Sequence, residues 1–198
     1  IDYKEITTKK LFEKINLISK QNNLEIVGLV NNGFTGYPKS AMSIDPKSVY
    51  NSSEGLFGYH IRLAIEISRL MRTPASIVNV SSMYGKVAPN PSLYESLDEV
   101  NPLLYGAMKA AVIQASRYLS SQMAIKGIRV NSVSFGAFPS EEVQLKMPKF
   151  VKLLSKQTHL GRIGKPEEAA GIINFLLSND SSYITGADIP VDGGWTAW

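Results

Sequence analysis

Short apolar runs alternate along this chain with longer stretches whose apolar positions recur at helical spacing. In TTKKLFEKINLISKQNN, Leu11, Ile15 and Ile18 share one helix face with Leu17 beside them, and Asn22 and Asn23 suit a helix stop. The run LEIVGLVNN is continuous and rich in branched residues, which predicts a strand buried on both faces. After a loop holding Pro38 and Pro46, DPKSVYNSSEGLFGYHIRLAIEISRLMR reads as one long helix, followed by a second buried strand, ASIVNVSS. Residues 85–102 are polar, Pro-containing and irregular. A helix is predicted over 104–126, closed by Gly127, and then a third strand, IRVNSVSFG. EEVQLKMPKFVKLLSKQTHL predicts one or two short helices. KPEEAAGIINFLLS starts well as a helix, with Pro166 early and acids in the first turn, and ITGADIPVDGG supplies a last strand.

Strands that alternate with helices predict right-handed βαβ units and a parallel sheet covered on both sides. No repeat, low-complexity tract or linker interrupts the pattern, so residues 1–198 are expected to form a single domain. In such sheets ligands bind beyond the carboxyl ends of the strands. Asn31-Asn32-Gly33, Ser81-Ser82 and Phe135-Gly136 each follow one of the three buried strands, which places them on one rim.

Charge and composition narrow the classes. The net charge of +4 is spread over scattered lysines rather than gathered in a stripe with aromatics, which argues against a nucleic-acid surface. No apolar run approaches the length of a bilayer span, so no membrane role is expected. The absence of cysteine removes disulfides and thiolate metal sites and suits a cytoplasmic protein. His60 and His159, the two histidines, sit on separate segments without a carboxylate at ligand spacing, so no metal is expected. Glu141 and Glu142 open a helix, where acids favour the dipole.

The candidate chemistry lies in LLYGAMKAAV. Tyr105 and Lys109 are four positions apart on a helix, so both can act at one point. A free tyrosine, with a pKa near ~10, is a poor acid or base at neutral pH. A nearby ammonium favours the phenolate, at roughly 1.4 kcal/mol per unit of depression. Ser82, at the end of the second strand, could hold a substrate oxygen while Tyr105 moves the proton. A Tyr packed beside a snorkelling Lys would look the same in isolation.

The order of these segments resembles the classical short-chain dehydrogenase/reductase family over nearly the whole chain. LVNNG resembles the family's Asn-Asn-Ala-Gly segment, and IVNVSSMYG resembles its serine strand, with Ser82 at the catalytic position. YGAMK is its Tyr-x-x-x-Lys motif, IRVNSVSFG its Asn-x-Val-x-Pro-Gly strand, and GRIGKPEEAAGIINFLLS with ITGADIPVDGGW its closing helix and strand. The resemblance implies a doubly wound, Rossmann-like α/β fold and hydride transfer between a nicotinamide cofactor, NAD or NADP, and a small carbonyl or hydroxyl substrate. It implies Tyr105 as acid/base, Ser82 as holder of the substrate oxygen, and Lys109 on the nicotinamide ribose. Asn31, Asn32 and Gly33 would lie along the cofactor. Residues 136–140, with Gly136, Phe138 and Ser140, would cover the nicotinamide, and 141–157 would form a substrate lid. The helix after Tyr105 and its predecessor would pair across a two-fold axis in a homodimer or homotetramer, with GGWTAW able to join the interface.

Four departures from the family pattern matter. The glycine-rich phosphate turn is absent, so the first two βα units and the third strand are expected to be missing from this chain. Ser52 stands where the family carries a catalytic Asn, with Asn51 one position early. Phe135 replaces the proline of Pro-Gly. The segment between Ser82 and Tyr105 is longer than usual, and its VAPNPSLYESLDEVNP brings Tyr94 and Glu95 near the substrate opening. That insertion resembles the flagellin-modification oxidoreductase branch, which implies a sugar phosphate or nucleotide sugar as substrate. The Ser52 departure and the missing turn favour a catalytically inactive scaffold of the same fold as the alternative. An epimerase or dehydratase of the extended branch is disfavoured by the short segment after VNSVSFG.

Overall fold

The branched-residue runs pair side by side in a computed structural model that describes residues 8–33 and 44–198. Strands β1 (Ile26–Asn31), β2 (Met71–Ser82), β3 (Ile128–Phe135) and β4 (Asp188–Val191) form one parallel sheet in that order. Parallel neighbours cannot be joined by a hairpin, so a helical crossover fills each gap. Helix α1 (Thr8–Gln21) precedes β1. Helix α2 (Pro46–Ser53), a single π-type turn (Glu54–Gly58) and α3 (Tyr59–Ser68) lead into β2. Helix α4 (Leu103–Met123) joins β2 to β3, and α5 (Glu141–Lys146), α6 (Pro148–Lys156) and α7 (Pro166–Leu177) lie between β3 and β4.

Alternation along the strands sends side chains to two cores. Ile77, Ile128 and Val130 pack with Leu63 and Ile67 of α3 and Leu119 and Met123 of α4. Val78 and Val133 pack with Leu176 of α7 on the opposite face. The sheet is therefore covered on both sides, as expected. A third cluster, built on Met83, Leu93, Ala137, Leu154 and Trp195, gathers the insertion, α6 and the C-terminal turn. Among the described residues no helix is long and apolar enough to cross a membrane.

Helix boundaries follow local chemistry. Asp45 caps α2, accepting from the backbone N–H groups of Lys47 and Ser48 at 2.9 and 3.0 Å, with Pro46 at the first position. At α7 the Glu168 carboxylate accepts from the Lys165 N–H at 2.9 Å and from Arg162 at 2.6 and 2.8 Å, which holds its carboxyl down at about 2. Gly127 ends the α4 segment at φ 71°, a left-handed position that favours glycine.

The structure corrects the sequence reading in three places. The single long helix over 45–72 is interrupted by the π-type turn and stops at Ser68, and β2 begins early because Met71 pairs with Ile26. The last strand is confined to four residues. Strand β1 is not buried on both faces: it is the edge of the described sheet, with Val27 53% and Val30 38% exposed. The loop holding Pro38 lies outside the described residues.

Candidate functional site

Two glycines set how closely the serine strand approaches α4. A Cβ at Gly85 would lie 2.8 Å from the Lys109 carbonyl carbon and 2.9 Å from the Ala110 nitrogen, and one at Gly106 would lie 2.7 Å from the Tyr84 oxygen. The short turn Met83–Gly85 therefore rests directly on the helix backbone. Ser82 caps that turn, accepting from the Tyr84 N–H at 3.2 Å, and its side chain hydrogen-bonds with Tyr105. Ser81 Oγ donates to the Lys109 carbonyl at 2.8 Å. The buried Lys109 Nζ donates back to the Val80 carbonyl at 2.9 Å and lies 5.8 Å from the Tyr105 ring centroid. Lys86, next along, anchors the turn to β4 through Asp188 at 3.1 Å, and Asp188 also accepts from Ser132 and Ser134. The structure thus brings Ser82, Tyr105 and Lys109 together.

The electrostatics differ from the sequence expectation. Burial raises the Tyr105 phenol above its ordinary range, and the Ser82 hydrogen bond only partly opposes it. Lys109 does not offset this rise, and desolvation brings its own pKa down to about 8. His60, which sequence reading set aside, is 2% exposed on α3. Burial and the Lys109 charge lower its pKa, while backbone groups of Leu56 and Gly33 oppose them. It joins the π-type turn to the loop after β1.

The remaining predicted residues are placed as follows. Asn31 is buried, its amide donating to Asn79 Oδ1 at 2.8 Å and to the His60 carbonyl at 3.2 Å. Asn79 continues this polar chain to Ser116 of α4 at 2.9 Å. Asn32 is exposed and Gly33 half-buried on the same rim. Ser52 is buried and Asn51 exposed, so Ser52 is the one of the pair that faces inward. A Cβ at Gly136 would lie 2.5 Å from Asp192 Cα, so packing alone demands glycine there. Phe138 meets Phe135 edge-on at 5.3 Å and fills the space beside Gly164. Ser140 is exposed and caps α5. Tyr94 reaches the site and Glu95 is exposed.

Beyond the ends of β2 and β3 lies a cleft of about 630 Å³. Ser82, Tyr84, Tyr94, Asn101, Tyr105 and Phe150 line it, together with residues 136–139. Of these, Tyr84 and Asn101 were missed by sequence reading, since only tertiary packing brings them in, while Phe150 lies within the segment 141–157 expected as a lid. The donor set suits the nicotinamide-ribose end of a dinucleotide: an ammonium and a phenol share one helix face, and among the described residues the buried Asn31 Oδ1 at the adjoining strand end has no hydrogen-bond partner.

Residues 28–196 match the family described as enoyl-(acyl carrier protein) reductase. The chain is 38% identical over 130 residues to galactitol 2-dehydrogenase (L-tagatose-forming) of Cereibacter sphaeroides, covering 64% of this chain and 48% of that protein. It is 33% identical over 155 residues to a 3-oxoacyl-(acyl-carrier-protein) reductase of Thermotoga maritima, covering 78% and 55%. The chain thus spans about half the length of these two relatives. A short-chain type dehydrogenase/reductase from Mycobacterium marinum superimposes with a TM-score of 0.81 at 27% identity, over 97% of this chain and 73% of that one.

Proposed function

Because the chain belongs to the classical short-chain dehydrogenase/reductase family, we propose that it serves an NAD- or NADP-dependent oxidoreductase, with Ser82, Tyr105 and Lys109 as its working residues. When bound, the nicotinamide supplies or receives the hydride. Tyr105 gives its hydroxyl proton to the substrate oxygen in reduction and takes it back in oxidation. Ser82 holds that oxygen beside the phenol, and Lys109 holds the ribose hydroxyls. Asn31, Asn32 and Gly33 border the cofactor on the β1 side, and Gly136, Phe138 and Ser140 on the β3 side. Tyr94 faces the substrate. Burial keeps the Tyr105 phenol protonated at neutral pH, so it carries the proton that reduction takes up, while the Ser82 hydrogen bond works against the raised pKa and favours its release.

The observation that carries this reading is the buried Lys109 ammonium beside Tyr105. Its depression to about 8 is a cost to folding that a catalytically inactive scaffold has no need to retain. The substrate is a small carbonyl or hydroxyl compound, and the insertion's resemblance to the flagellin-modification branch would make it a sugar phosphate or nucleotide sugar. Titration of the protein with NADH and NADPH tests the reading. At least one should bind, and Lys109→Met should weaken that binding by roughly tenfold or more, as loss of a charge-assisted contact requires. Binding of neither, or equal binding to the variant, would count against it.

A further inference from the structure

The walls of the cleft narrow the class of substrate, an inference that rests on the oxidoreductase reading above. The rings of Tyr94 and Phe150 lie 5.5 Å apart and tilted, and Tyr84 is braced edge-on against Trp195 at 6.5 Å. The Tyr84 and Tyr94 hydroxyls meet at 3.2 Å. The insertion and α6 therefore build one wall that is aromatic in body and hydroxylic at its tip. Ser82 and Tyr105 line the same cleft, and Asn101 adds an amide.

None of the described residues lining the cleft is charged. Three cations on the surrounding elements have partners outside the cleft lining. Lys86 pairs with Asp188 at 3.1 Å, Lys109 donates to the Val80 carbonyl, and Lys146 pairs with Glu142 at 2.7 Å. Lys149 and Lys152 are exposed on α6 and do not line the cleft. A phosphate or carboxylate drawn between these walls would lose its hydration without meeting a counter-charge. A hydroxyl group, which both donates and accepts, would find partners in the phenols and the amide.

We propose that the cleft takes an uncharged polyhydroxy or hydroxy-ketone compound. Its reacting oxygen lies at Ser82 and Tyr105, and a further hydroxyl lies on the Tyr84–Tyr94 pair. Tyr94 is thereby a specificity-determining residue, and a phosphorylated or nucleotide-linked sugar can keep its anionic part only outside the cleft. This departs from the substrate implied by the insertion's resemblance.

Calorimetric titration of the protein with its nicotinamide cofactor tests the proposal, using galactitol and myo-inositol against their monophosphate esters. At least one neutral compound should bind at least roughly tenfold tighter than its ester, the factor that about 1.4 kcal/mol of unpaired-charge cost would give. Tyr94→Phe, with its fold checked by circular dichroism, should weaken that binding roughly threefold to tenfold through loss of one hydrogen bond. Equal or tighter binding of the esters, or no binding of either neutral compound, overturns the proposal. Cofactor absorbance in the same samples separates the two claims. Neutral binding without hydride transfer would defeat the oxidoreductase reading and keep the substrate class. Turnover confined to the esters would do the reverse.

Discussion

Lys109 carries opposing demands of folding and chemistry. Its pKa falls from 10.5 to about 8 by burial, which at roughly 1.4 kcal/mol per unit opposes folding by roughly 3 kcal/mol when the side chain is charged. Lys109→Met should therefore unfold at a higher temperature than the native protein at neutral pH while losing activity. Below about pH 8 the lysine is charged in both states and the penalty is full. Between about 8 and 10.5 the folded lysine is neutral while the unfolded one keeps its proton, so the native protein gains stability with rising pH. The gap between the two proteins should close across that window in parallel melting curves, and a constant gap would contradict the assignment. That Ser82, Tyr105 and Lys109 meet was legible because they sit on one strand end and one helix turn, while the roles proposed for them came only from the family resemblance. The sign of the Tyr105 shift was not legible, because it is set by burial, which outweighs the Ser82 hydrogen bond and belongs to the folded chain.

The turn after β2 does the positioning. Gly85 lets Met83–Gly85 lie on the α4 backbone, and Lys86 ties the same turn to Asp188 of β4. Gly85→Ala should push the Ser82 turn off the helix, costing roughly 1–3 kcal/mol as overpacking does. It should also lower kcat more than its effect on melting would account for. Unchanged kcat with a lowered melting point would show that the turn is structural only. Strands and helices were readable from apolar spacing, and so was the start of α7 at Pro166. The π-type turn was not, because the apolar period continues through Glu54–Gly58 while the backbone takes up an extra residue. Nor was the exposure of β1, because its apolar run reports a preference for cover and not which element supplies it.

Across the whole molecule, the outward side of α3 and α4 leaves Ile65 39% and Tyr118 64% exposed. We expect these helices to pair across a two-fold axis, so Tyr118→Glu should halve the mass measured by light scattering or convert a tetramer to a smaller species. An unchanged mass would place any interface elsewhere. The common rim of Asn31, Ser82 and Gly136 followed from the sequence because parallel strands put every carboxyl end on one side. The cleft's uncharged wall did not, since Tyr84, Asn101 and Phe150 lie on three separate elements. The most direct test of the central claim is cofactor-coupled turnover of secondary alcohols and ketones by the native protein and by Tyr105→Phe, with fold and cofactor binding verified in both. Turnover should fall by roughly 10²–10⁴-fold in the variant, the contribution of a positioned acid–base group. Undiminished turnover would contradict the assignment of Tyr105.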